Sequence, residues 1–285
     1  MHWLLAILIL PYFILLLRIF RNLAGIMPEP PYGPANNFVS VVIACKNEEK
    51  NLSVILNDIA SQDYGQDNYE LIIVNDNSTD GTYEAATRFG CIRHLKIINN
   101  EGHGKKSAVV TGVAASSGDL LLTTDADCRM GKNWISTIAG FQNYSKAEMA
   151  ICPVVLETGQ GFFQKFQELE FLSLQGVTAG TAAAGNPVMC NGANLAFTKA
   201  SFTRQSGKLH DELLSGDDIF LLQGIKMDRG RITWLESENA CVTTKLCDTF
   251  VSLLKQRARW ISKARSYSDR YSKLLAVVTF LAILA

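Results

Sequence analysis

The chain predicts an α/β fold: a mainly parallel sheet with helices on both faces. Two observations carry that prediction. Between Phe38 and Thr124, short apolar runs alternate with helical patterns in a β-α-β-α series. With right-handed crossovers, such a series leaves few arrangements open. In addition, acidic and amide residues cluster just after the apolar runs, where open α/β sheets bind their ligands.

Taken in order, Phe38 to Ala44 reads as the first strand. A helix follows over about Asn51 to Ser61, with Leu52, Ile55, Leu56 and Ile59 on one face. Next come a strand Leu71 to Val74, a helix near Tyr83 to Phe89, a short strand Leu95 to Ile98 and a helix Lys105 to Ala115. The central strand, Leu120 to Thr124, runs into Asp125-Ala126-Asp127. Beyond it lie a strand near Met149 to Val155, a long helix from about Gly161 to Val177 and a Gly/Ala-rich segment to Gly185. Two short strands, Ile232 to Leu235 and Ala240 to Thr243, precede a helix from about Thr249. No internal repeat or low-complexity tract competes with this reading.

The ends are apolar. Residues 1–22 hold an uncharged run from Leu4 to Leu17 and read as a transmembrane helix. A signal peptide would carry its positive charge before the apolar run, whereas Arg18 and Arg21 follow it. Those arginines predict an integral protein of the cell membrane with its folded body in the cytoplasm. Residues 23–37 hold four of the seven prolines and read as a stiff linker to a domain over 38–248. Residues 249–272 form an interfacial helical region, and residues 273–285 begin a second span that the chain does not complete. Lysine plus arginine and aspartate plus glutamate are balanced at 27 each, which disfavours a nucleic-acid partner. Seven cysteines without a Cys-x-x-Cys pair suit free thiols in a reducing compartment, and the four scattered histidines offer no zinc spacing.

The loops carry the chemistry. Asp125 and Asp127, on alternate positions after a buried strand, can converge on one divalent cation, although a solvated acidic turn would read the same way. Glu48 lies in the loop after the first strand. Asp76, after the second, can accept the imino hydrogen of a pyrimidine or bond ribose hydroxyls. Asp80 is better read as an Asx turn that starts the next helix. Asn99 to Lys106 combines glycines with Lys105 at a helix start, a setting suited to a diphosphate, or simply a solvated turn.

Several stretches stand in a telling order: Asn47-Glu48-Glu49, Asn75 to Thr82, Gly104-Lys105, Thr124 to Asp127, Ser215-Gly216-Asp217-Asp218 and Gln256-Arg257-Ala258-Arg259-Trp260. The ordered set resembles the membrane-bound family 2 glycosyltransferases, in particular the cellulose, chitin and hyaluronan synthase branch with its Gln-x-x-Arg-Trp motif. Two departures stand out. Asp217-Asp218 replaces the usual Glu-Asp pair, which leaves open which aspartate is the base, and Ala44-Cys45-Lys46 replaces a proline and an aromatic residue.

The resemblance implies a GT-A fold, Rossmann-like, flanked by transmembrane helices. It also implies transfer of a hexosyl or N-acetylhexosaminyl group, with inversion, from a nucleotide-diphosphate sugar, expected to be a UDP-sugar, for polysaccharide or glycolipid synthesis. Asp127 and Asp125 would hold Mg²⁺ or Mn²⁺, an assignment that suits all-oxygen ligands. Glu48, Asp76, Lys105, Asp125 and Arg259 would bind the donor, and Asn191, Gly192, Gln256 and Trp260 the acceptor. Asp218 would be the base and Asp217 would position it. The expected partners are a nucleotide-sugar donor, a lipid-linked or carbohydrate acceptor, and membrane lipids. A sugar nucleotidyltransferase shares the paired acids but needs no membrane helices, and a non-catalytic nucleotide-sugar-binding membrane protein has little use for acids at successive strand ends.

Overall fold

The computed structural model describes residues 2–28, 33–208 and 216–284, without the side chains of residues 2–8, 208, 264 and 265. The main sheet contains β1 (Val39–Cys45), β2 (Tyr69–Asn75), β3 (Leu95–Asn99), β4 (Leu120–Asp125), β6 (Met149–Ile151), β8 (Leu195–Thr198) and β9 (Ile232–Trp234). Their order across the sheet is β3-β2-β1-β4-β8-β6-β9, and β8 alone runs antiparallel to its neighbours. A small second sheet joins β5 (Arg129–Met130), β10 (Val242–Thr244) and β7 (Val154–Leu156).

Alternation along the buried strands feeds two cores, because successive side chains point to opposite faces. Val39, Val41 and Ile43 pack with Leu52, Ile55, Leu56 and Ile59 of α2 (Glu49–Ala60). The predicted apolar face of that helix is therefore the buried one. On the other side, Val42, Ile72 and Val74 pack with Val109 and Val113 of α4 (Gly104–Ala115). The approach there is close: a Cβ at Gly112 would lie 2.4 Å from the Val42 Cγ1. Glycine lets this helix sit flush on β1 and β2, which sets where its N-terminus and Lys105 emerge.

One carboxylate ties the opposite edge. Glu70 is 2% exposed and accepts from Ser40 Oγ at 2.6 Å and from the Ser117 amide, while Lys96 Nζ lies 2.7 Å away. The contact joins β1, β2, β3 and the turn into β4, so the parallel strands start in register. Burial by itself would raise the Glu70 pKa, but Lys96, Ser40 and the Ser117 amide outweigh it and hold the group below the ordinary glutamate value.

The structure departs from expectation in four places. The strand expected over Met149 to Val155 is split at Cys152-Pro153 into β6 and β7, which join different sheets, since proline removes a ladder donor. The Gly/Ala-rich segment is helical: α6 runs Phe162–Ala183. Its small residues let α1 (His2–Ala24) cross closely, as a Cβ at Gly180 would sit 2.6 Å from the Ile19 carbonyl oxygen. α5 (Trp134–Ser145) and α7 (Lys199–Gln205) had no counterpart in the sequence reading. Finally, among the described residues no helix is long and apolar enough to cross a membrane. α10 (Arg270–Leu284) has 15 residues, and the side chains of residues 2–8 in the expected first span lie outside the described ones, as do linker residues 29–32.

Replacing Glu70 by Gln tests the edge contact. Because the folded-state pKa lies below the unfolded value, the contribution is complete above about pH 4.5 and disappears as pH falls through the folded pKa. Glu70→Gln is expected to melt lower at pH 7 and to lose part of the wild-type fall in melting temperature between pH 5 and pH 3. A mutant curve parallel to wild type over that acid range would contradict the charged contact.

Candidate active site

The parallel register brings the functional loops to one edge. Ala44 is paired with Asp125 and Cys45 with Asn75, so β1, β2 and β4 end level. The loops there border a cavity of about 620 Å³. All twelve residues singled out in the sequence line it: Glu48, Asp76, Lys105, Asp125, Asp127, Asn191, Gly192, Asp217, Asp218, Gln256, Arg259 and Trp260. Ser215, next to the aspartate pair, lies outside the described residues.

Lys105, at the second position of α4, is the electrostatic centre. Its ammonium pairs with the Asp125 carboxylate. Burial opposes its charge, but Asp125, Asp217 and Asp218 together raise its pKa above the ordinary lysine value. The pair is 39% and 35% exposed on the cavity side, so solvent screens it and it contributes little to stability. An entering anion can therefore replace Asp125 at small cost. Lys105 had been expected to face a diphosphate; in the free protein it neutralises the acids instead.

Those acids feel one another. Asp217 is buried at the start of α8 (Asp217–Met227), and burial and then the Asp218 charge raise its pKa to about 6, against the opposing pull of Lys105. Asp218 accepts from the Gly192 amide at 3.1 Å and from the Ile219 amide at 2.8 Å. Gly192 thus spends its amide on fixing Asp218, and no side-chain cap from the pair closes α8, whose N-cap is Gly216.

On the nucleotide side, Asp76 is buried and accepts from Asn100 Nδ2 at 2.8 Å and from the Gly104 amide at 3.0 Å. It fixes the loop that presents Lys105 as well as lining the cavity. Asp80 accepts from the Thr82 amide at 3.1 Å, which bears out the Asx turn. The helix α9 (Phe250–Ser262) closes the far wall. Thr249 and Ser252 form a capping box at its start. Arg259 is exposed on the cavity wall, while Trp260 is partly buried.

Two residues that hold this wall escaped sequence reasoning. Arg257 donates two N–H groups to Glu170 of α6 and lies over the Trp260 ring, 4.1 Å from its centroid. The buried Gln167 exchanges hydrogen bonds with the Cys247 backbone and pins the loop before α9 to α6. Both contacts span about eighty residues of chain, so no local spacing could reveal them. Lys245 and Lys263 also line the cavity unforeseen.

The residues present fit a divalent cation. Asp127 has its pKa raised by burial and then by the neighbouring Asp125, so a dication there would offset a standing repulsion. Both donors are oxygen, which suits Mg²⁺ or Mn²⁺. Among the described residues no group of three His, Cys, Asp or Glu forms a complete cage, leaving further positions for ligand oxygens.

Comparison with known proteins follows the same lines. The family model described as glycosyl transferase family 2 matches residues 40–205, more than half of the chain. Glycosyltransferase AglE of Haloferax volcanii is 39% identical over 109 residues, 36% of this chain and 36% of its own length. The beta-monoglucosyldiacylglycerol synthase of Nostoc sp. is 24% identical over 246 residues, 84% of this chain and 51% of its own. The chain thus spans about a third to a half of these curated relatives. Among solved structures, a mannosyltransferase from Pyrobaculum calidifontis, in complex with GDP-Man and Mn²⁺, superposes with a TM-score of 0.72 at 19% identity, covering 97% of this chain and 79% of that one. That likeness shows the α/β, GT-A-like fold with its mostly parallel sheet.

Lys105→Met should expose the charge balance. Without the ammonium, Asp125, Asp217 and Asp218 repel freely, and the Asp217 pKa rises further above 6. At pH 8 that acid must stay charged; at pH 5 it is neutral in either protein. The melting temperature should therefore fall more at pH 8 than at pH 5. An equal loss at both pH values would place the role of Lys105 in packing.

Proposed function

The chain belongs to glycosyl transferase family 2, and from that premise we propose that it transfers a sugar, with inversion, from a nucleoside-diphosphate sugar to a hydroxyl acceptor at the cytoplasmic face of a membrane. The carrying observation is the meeting, in one cavity, of Asp125 and Asp127 with the Asp217-Asp218 pair, with Lys105 between them. Such a cavity can hold a charged leaving group at one end and activate a nucleophile at the other.

In this reading Asp76 and Glu48 take the nucleoside, first tested as uridine, and Lys105 and Arg259 meet the diphosphate. Asp125 and Asp127 would hold Mg²⁺ or Mn²⁺, which when bound supplies Lewis-acid stabilisation of the departing diphosphate. Asp218, fixed by two amides, accepts the proton of the acceptor hydroxyl. Asp217 and Lys105 set the field in which it does so. Asn191, Gly192, Gln256 and Trp260 border the acceptor side. The likeness to the synthase branch rests on the Gln256-Arg259-Trp260 helix.

The membrane placement is supported by exposed apolar side chains. Phe13 and Phe20 on α1, Phe162 and Leu169 on α6, and Phe280 and Ile283 on α10 are each more than half exposed. Such surface suits lipid contact and a lipid-linked or polysaccharide product.

A panel of UDP- and GDP-sugars offered to the purified membrane-embedded protein with Mn²⁺ tests the reaction: nucleoside diphosphate release is expected, and pyrophosphate release would indicate a nucleotidyltransferase instead. Asp218→Asn keeps size and polarity but removes the proton acceptor. Transfer at saturating donor should fall by roughly 10²- to 10⁴-fold while donor binding survives. Near-normal transfer would remove Asp218 from the base role.

A further inference from the structure

A second cavity, of about 140 Å³, lies against the far side of Asp218 and Trp260, both of which also line the larger cavity. Its walls differ in chemistry from those of the first. Phe171 and Leu174 of α6, Met189, Ile219 of α8 and the Trp260 ring make it mainly apolar. Among the described side chains, Lys263 is the single cation that lines it, and it sits with the Asp218 carboxylate. The other lysines and arginines of the site, Lys105, Lys245, Arg257 and Arg259, line the larger cavity alone.

A dry apolar cavity of about 150 Å³ holds a group the size of benzene. The second cavity therefore has room for a small hydroxyl-bearing head and the first carbons of an attached chain, and too little for an oligosaccharide. Charge narrows the choice further. A phosphate brought here would meet the Asp218 carboxylate with only Lys263 to offset it, and it has no proton for a base to remove. A neutral hydroxyl suits both the base and the walls.

The cavity also opens in a definite direction. Leu174 and Thr178, on its inner side, belong to α6, whose outer face exposes Leu169 and Leu172 and whose C-terminal half packs on α1. Apolar surface thus continues from the cavity wall to the helices on the lipid-facing side. Trp260 forms the partition, and the Glu170-Arg257 pair holds its ring in place.

We infer that this second cavity is the acceptor site, and that it takes the neutral hydroxyl of a lipid such as a diacylglycerol, in preference to a polyprenyl phosphate. The inference rests on the transfer reaction proposed above, with Asp218 at the junction of donor and acceptor.

Photolabelling separates the possibilities. The full chain in nanodiscs is exposed to a diazirine-bearing diacylglycerol or, at equal concentration, a diazirine-bearing polyprenyl phosphate, and the modified peptides are located by mass spectrometry. The diacylglycerol probe is expected to mark residues within 171–178 or 189–190. Leu174→Trp, which fills the cavity, should cut that labelling at least tenfold while UDP or GDP binding stays unchanged. Should the tryptophan variant lose its melting transition, Leu174→Phe gives the same reading with less added volume. Labelling confined to α1 and α10, labelling unaffected by the filled cavity, or stronger marking of the cavity by the polyprenyl phosphate would each overturn the assignment. A protein that releases no nucleoside diphosphate from any donor overturns the transfer reaction itself; one that does so while its label misses the cavity overturns only the acceptor site.

Discussion

The level ending of β1, β2 and β4 is the constraint on which the rest of the site depends. Because Ala44 pairs with Asp125 and Cys45 with Asn75, the loops that follow these strands leave the sheet at one height. Side chains more than eighty residues apart then share one wall. The register is secured from the other end, where the buried Glu70 gathers Ser40, Lys96 and the Ser117 amide. A slip of one residue would turn Asp125 to the opposite face and separate it from Lys105.

Given that register, electrostatics shapes the cavity. Four aspartates, 125, 127, 217 and 218, would repel strongly if left alone, and the raised pKa values of Asp127 and Asp217 record that repulsion as well as burial. Lys105 relieves part of it. The free protein is thus held with one cation among four acids, a state that a dication and a polyphosphate can complete. Because the Lys105-Asp125 pair is partly open to solvent, the rearrangement on binding gives up little.

Much of this was legible in the sequence, for local reasons. The apolar runs before Cys45, Asn75 and Asp125 marked the strands, and the acids after them marked the edge. The amphipathic pattern of α2 named its buried face correctly. What stayed hidden depends on contacts distant in sequence. α5 carries buried residues almost all round, so no clean amphipathic period announces it. The Gly/Ala-rich end of α6 reads as a loop until α1 is seen to press on Gly180. Glu170 became meaningful only when Arg257 was found beside it, and the division into two cavities follows from where Trp260 is held between them.

The central claim is that Asp125 and Asp127 form the metal and diphosphate end of the larger cavity. Electron paramagnetic resonance of Mn²⁺ titrated into the protein, alone and with UDP or GDP, tests it most directly. One Mn²⁺ per chain should bind, more tightly with the nucleoside diphosphate present, and Asp127→Asn should abolish that nucleotide-enhanced binding while the melting transition remains. Undiminished, nucleotide-dependent Mn²⁺ binding in a folded Asp127→Asn protein would contradict it.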